Sequence, residues 1–263
     1  MRDPRAAMPP TRGAAILLLV VAVLSFGCAT MSAPESIESL LQQAKELLDA
    51  KKYDEALTKI TEVIRRDPAQ WKAYLYGAQA YIGKLDWSAA LANARKAFEL
   101  APSDATVLTI LGESLLGSGA DALKRGAFND AAVQFVEYIK LRPTDAQGYL
   151  SAAGAYLRGR QWTDAARVLT DGVARIPDGA VRREFMSTLR MGGAQAATSG
   201  DYQGAISLSR EYVRLAPQDV TAHLELGKAY WNAGQRPDAL AAFRRVLELA
   251  PQNEEARQFI LGR

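Results

Sequence analysis

Two side chains on which most catalytic and metal sites rely are nearly missing from this chain. It has one cysteine, Cys28, and one histidine, His223, in 263 residues. An intramolecular disulfide is excluded in any compartment, and no cysteine pair or histidine pair exists to hold a zinc ion. No nucleophile or base stands at catalytic spacing from His223, which reads as a packing or capping residue; no catalytic residue, metal or cofactor is assigned, and the chain reads as a non-enzyme. Apolar runs are short as well. Ala14 to Leu24 is a run of eleven, about half of the ~20 residues that a helix needs to span a bilayer. Charge of one sign is also lacking: without the first 27 residues the formal net charge falls from +3 to about +1, which gives no footprint for nucleic acid.

What is present begins at the N-terminus. Arg2, Arg5 and Arg12 precede the apolar run and Ser25-Phe26-Gly27 follow it, the order of an export signal, so 1–27 reads as a signal peptide. Its end resembles the processing site of bacterial lipoproteins: leucine, a small residue, glycine or alanine, then cysteine. Gly27 and Cys28 match, whereas Leu24 lies one place early and Ser25 and Phe26 depart. The resemblance implies that Cys28 is the lipid attachment site and that the protein is exported and membrane-anchored, facing the periplasm from the outer membrane. Ordinary signal cleavage near Gly27 or Ala29 would instead give a soluble secreted regulator without lipid. Residues 28–35 read as a short tether.

From Ser36 onward the chain repeats. Prolines recur at Pro68, Pro102, Pro143, Pro177, Pro217 and Pro251, separated by 34, 41, 34, 40 and 34 residues. Twelve residues before each stands an alanine: Ala56, Ala90, Ala131, Ala165, Ala205 and Ala239. Fifteen before stands an aromatic residue, Tyr53, Trp87, Phe128, Trp162 or Tyr202, replaced in the last unit by Arg236. A second small column, Ala44, Ala78, Gly112, Ala153, Gly193 and Gly227, suits the close crossing of two helices.

These columns, with Leu226-Gly227, Tyr230, Ala239, Phe243 and Pro251 in the last unit, resemble the tetratricopeptide repeat family, whose period is 34 residues. The resemblance implies an all-α, right-handed solenoid of six helix hairpins over 36–251, with units near 36–68, 69–102, 103–143, 144–177, 178–217 and 218–251. Residues 252–263 read as a capping helix, because terminal repeats need a cover. Asp104, Asp145, Asp219 and Asn253, each two places after a proline, are expected to cap the helices that follow. The seven-residue excess in unit three is expected to lengthen its hairpin by two turns, and the six-residue excess before unit five to lie on the opposite edge. Unit five, with Gly192-Gly193 and Ala196, reads as poor in core side chains. Gly117, Gly119 and Ala122 match a dinucleotide fingerprint by spacing only, since no strand precedes them.

In the resembling family the first helix of each unit lines a concave binding surface. By register this points to Leu41, Leu48, Leu75, Ile82, Leu116, Leu150, Leu157, Leu224 and Trp231 as an apolar groove, interspersed with Lys45, Glu113, Arg190 and Lys228. The groove implies a protein partner offering a helical or apolar segment, with no nucleic acid and no small-molecule substrate. Six repeats behind a lipoprotein signal also resemble the type IV pilus pilotins, which implies a scaffold or adaptor in assembly of an envelope, pilus or secretion complex.

Overall fold

The computed structural model describes residues 35–262; the signal peptide, Cys28 and the tether up to residue 34 lie outside the described residues. Thirteen α-helices and no strand are found among the described residues. They form six hairpins: α1 (Ile37–Asp49) with α2 (Tyr53–Arg66), α3 (Trp71–Gly83) with α4 (Trp87–Leu100), and α5 (Ala105–Lys124) with α6 (Phe128–Leu141). Then come α7 (Ala146–Arg158) with α8 (Trp162–Arg175), α9 (Gly179–Thr198) with α10 (Tyr202–Leu215), and α11 (Val220–Asn232) with α12 (Arg236–Leu249). A last short helix, α13 (Glu254–Leu261), packs on α12. The architecture is an all-α solenoid, each helix touching chiefly its neighbours in sequence. Among the described residues, no helix is long and apolar enough to cross a membrane.

Local chemistry explains the periodicity. Asp104, Asp145, Asp219 and Asn253 each accept backbone N–H bonds two or three residues on, at 2.8–3.2 Å, and so begin α5, α7, α11 and α13. Each hairpin turns on one residue of positive φ, between 57° and 80°: Lys51, Leu85, Gly126, Arg160, Gly200 and Gly234. Glycine takes that conformation freely, whereas Lys51, Leu85 and Arg160 do so at a cost of roughly 1 kcal/mol each. The unit prolines carry a second function, because their carbonyls accept side-chain hydrogen bonds from six residues on. The donors are Tyr74 to Pro68 at 3.2 Å, Tyr149 to Pro143 at 2.9 Å, His223 Nε2 to Pro217 at 3.0 Å and Arg257 to Pro251 at 2.9 Å. His223 therefore ties its helix to the preceding proline.

The alanine column is the seam of the core, every member at most 1% exposed. Small residues recur where helices cross, but in unit three the register differs from the sequence expectation. A Cβ on Gly119 would stand 2.5 Å from the Phe135 ring, just as one on Gly227 would meet Phe243 in unit six; Gly112 faces Tyr138 and Leu141 instead. Only the first helix is lengthened, to 20 residues, while α6 keeps 14. Helix α5 thus serves two registers: Gly117 meets Trp87 of unit two as Gly83 meets Tyr53, and Gly119 receives its own partner helix. Because seven residues are close to two turns, the same face serves both, displaced by about 10 Å along the axis. Gly117, Gly119 and Ala122 are packing positions.

Unit five is also better filled than its glycines suggest. The extra N-terminal turns of α9 bring Phe185 and Leu189, both wholly buried, and Gly192 admits Leu157, whose Cδ2 lies 2.7 Å from where a Cβ would stand. Helix α8 packs directly on α10 at this junction.

Candidate functional site

The nine groove candidates divide by burial. Leu41, Leu75 and Leu157 are core residues, 9%, 4% and 8% exposed. Leu41 packs in a cluster with Ile60 and Val63, Leu75 with Leu91 and Leu111, and Leu157 with Trp162 and Leu189. Leu48, Ile82, Leu116, Leu150, Leu224 and Trp231 are half-buried against these clusters. Trp231 is covered on one ring face by the Arg236 guanidinium, 3.5 Å from the centroid, and by Phe259 of α13 at 5.1 Å. Lys228 is paired with Glu255 of α13 at 2.7 Å. The uninterrupted apolar groove expected from register is therefore not what this face presents: half-buried leucines alternate with exposed Lys45, Glu113 and Arg190, and with Met191, which is 64% exposed.

One stretch of the face is hollow. The first helices of neighbouring units pack directly on each other at four of the five junctions between the six units, whereas α5 and α7 touch slightly at most. Helix α6 ends opposite Gly112, which faces Tyr138 and Leu141, so the N-terminal turns of the lengthened α5 run on beyond it. A hollow of about 480 Å³ results, lined by Thr109, Glu113 and Leu116 of α5, Trp87 of α4, and Tyr138, Arg142 and Asp145. The Arg142 guanidinium donates to the Thr109 hydroxyl at 3.4 Å, and Tyr138 donates to Asp145. Of the nine apolar groove candidates only Leu116 enters this hollow, beside Thr109 and Glu113 of the same register. Trp87 was visible as a column member; Arg142 and Tyr138 carried no sequence signal. Side chains of this kind, an indole, a leucine, a guanidinium and carboxylates, suit a peptide segment with both apolar and polar groups.

The Tyr138–Asp145 bond has a counterpart in Tyr212, which donates to Asp219 at 2.9 Å. Burial first, and then the hydrogen bond to the carboxylate, pushes both phenols up to about 12. The folded chain therefore keeps two protons that the unfolded chain, with phenols near 10, gives up. Their contribution is complete below pH 10 and is lost as pH rises to about 12, with a slope of at most ~1.4 kcal/mol per pH unit for each tyrosine. Urea melts between pH 9 and 11.5 should show that fall, and Tyr138→Phe with Tyr212→Phe should flatten it. An unchanged slope in the double variant would refute the assignment.

Comparison with known proteins agrees with this architecture. Two segments, 41–84 and 196–260, match family models described as tetratricopeptide repeat. A curated relative, cellulose synthase 2 operon protein C of Komagataeibacter xylinus, is 31% identical over 141 residues, 54% of this chain and 10% of the relative; the chain thus spans about a tenth of that protein's length. The solved structure of Naa15/Naa10 bound to HypK-THB covers 94% of this chain and 36% of its own, at 15% identity and TM-score 0.52. That of pilF from Pseudomonas aeruginosa covers 86% and 97%, at 14% identity and TM-score 0.35. The fold and its repeated seam define a helical-hairpin solenoid, a class that acts through protein–protein interaction. Over 41–84 and 196–260 the chain carries tetratricopeptide repeats.

Proposed function

We propose that this protein is a lipid-anchored, non-enzymatic adaptor of the bacterial cell envelope that holds a helical or apolar segment of a protein partner on its first-helix face. The hollow beside α5 is the observation that carries the binding reading, since it brings an indole, a leucine, a guanidinium and carboxylates together beside that face. Anchoring rests on Gly27-Cys28 and on the geometry of the tether. Residues 29–36 extend at most ~3.5 Å each, so Cys28 would hold the first helix within about 30 Å of the bilayer. Glu35 is gripped by Arg66, which donates to its carbonyl, and by Lys59 at 3.4 Å, so the tether joins the solenoid beside α2. An adaptor held so close to a membrane suits assembly of an envelope, pilus or secretion complex. The departures at Ser25 and Phe26 favour one second reading, a soluble periplasmic regulator.

Two measurements test this. Cys28→Ala should move the protein from membranes to the soluble fraction; equal partitioning of both forms would remove the anchor and leave the soluble reading. Leu116→Glu and Leu150→Glu, half-buried positions outside the core seam, should abolish capture of partners by crosslinking in the native envelope while circular dichroism stays helical. Retention of the wild-type partner set by both would remove the face as the site.

A further inference from the structure

A second cavity lies on the opposite side of the solenoid, at the junction of units three and four. Between α6 and α8 lies a cleft of about 390 Å³, floored by Tyr149 and Tyr156 of α7 and walled by Val136 and Ile139 of α6 and Val168 of α8. Its size is within the range of pockets that enclose one or two side chains or a small ligand. Its wall is specific to unit three. Six and three residues before Ile139 and its equivalents along the second helices, a shared apolar position, the other units carry polar or small residues. At the position of Val133 the other units have Thr58, Ala92, Arg167, Ser207 and Ala241; at that of Val136 they have Thr61, Arg95, Thr170, Arg210 and Arg244. Val133 is 60% exposed, one turn from Val136 along α6. Neither valine is shared with the other units, and Val136 forms part of the cleft's apolar wall.

The rim is cationic. Lys140, Arg167 and Arg175 border the cleft against one carboxylate, Asp171. Arg167 is paired with Asp164, whereas Lys140 and Arg175 make no ion pair among the described residues. Arg167 and Arg175 are eight residues apart on one helix, about 12 Å, the span of three or four residues of extended chain. An apolar floor inside an elongated rim with three cations to one carboxylate complements a segment that carries carboxylates around an apolar side chain. We propose that the α6–α8 cleft is a second docking site, for an acidic peptide segment that inserts one apolar side chain between Val136 and Val168 and sets its carboxylates against Lys140 and Arg175. It lies on the second-helix side and is independent of the first-helix hollow, so one chain would join two partner segments at the same junction.

The test uses the full chain and an array of ten-residue peptides, each with one leucine, phenylalanine or tryptophan among glutamates and glycines at every spacing, followed by fluorescence polarisation of the best binder. Lys140→Glu with Arg175→Glu, both exposed positions, should weaken that peptide by about tenfold or more, equivalent to ~1.4 kcal/mol. The lysine version of the same peptide should bind the doubly reversed variant and not the wild type, which separates a lost contact from a lost fold. Val136→Asp should weaken binding similarly, while Leu116→Glu, on the other face, should not. Absence of any binder in the array, equal binding by the reversed variant, or equal binding after the apolar residue is replaced by glycine would each overturn the proposal. So would a chain that binds phosphatidylglycerol vesicles through Lys140 and Arg175 but none of the peptides.

Discussion

Replacing Phe243 with alanine is expected to cost about 3–5 kcal/mol of stability, concentrated at the C-terminal end of the solenoid. The ring is wholly buried, stacks on Phe259 with centroids 4.4 Å apart and planes 7° from parallel, and meets Trp231 edge-on at 6.4 Å. It also fills the space that Gly227 leaves, where a Cβ would lie 2.5 Å from it. Alanine would empty a site bounded by three helices, and Phe259, the chief apolar anchor of α13, would lose the surface on which it stacks. Because contacts run mainly between adjacent helices, the damage should not spread evenly. Hydrogen exchange should show lost protection over 220–262 with α1 to α4 unchanged, and the Trp231 emission should shift red as α13 undocks. Uniform loss from α1 to α13 would mean that the solenoid unfolds as one unit. The same cluster explains why Trp231 is a poor contact residue despite its register: its neighbours are already the cap helix and Arg236.

How far the sequence could be read is clear from such cases. The alanine column, the aromatic column and the post-proline caps were legible because each has a recurring neighbour environment: a close helix crossing, the next unit, a free backbone N–H. The face residues were less legible, because a side chain at the same register position can be covered or open according to how the neighbouring unit is placed. Leu75 and Leu150 hold equivalent positions, yet the first is core and the second half-buried. Unit three shows the limit most plainly. Its extra length was visible as a 41-residue proline interval, but that α5 would serve two registers depends on Gly119, twelve residues before Ala131 as in the other units, meeting Phe135 across the hairpin while Gly112 faces Tyr138. The hollow and the opposite cleft both border the hairpin so paired.

Two glycines on adjacent units should respond to substitution in opposite directions. Gly204 opens the first turn of α10, where a Cβ would stand 2.1 Å from Cδ1 and 2.5 Å from Cγ of Trp162. These atoms are at the root of the ring, and the indole has nowhere to swing: it is 5% exposed, and its Nε1 donates to Asp201 Oδ2 at 2.6 Å. Asp201 in turn caps α10 through its other oxygen, accepting from the Gly204 N–H at 2.9 Å. A side chain at 204 must therefore displace the tryptophan, its hydrogen bond and the helix cap together. Gly204→Val should cost roughly 3 kcal/mol or more, at the upper end for overpacking. Gly154, in the interior of α7, would bring its Cβ within 4 Å of nothing outside its own turn. There the substitution removes only the backbone freedom of the unfolded chain, and Gly154→Ala should raise stability by about 0.5–1 kcal/mol. Urea midpoints of the two variants measured side by side decide the matter. If Gly204→Val melts with the wild type, the close seat of Trp162 on unit five is not the contact that joins units four and five, and α8 must be held to α10 by something else.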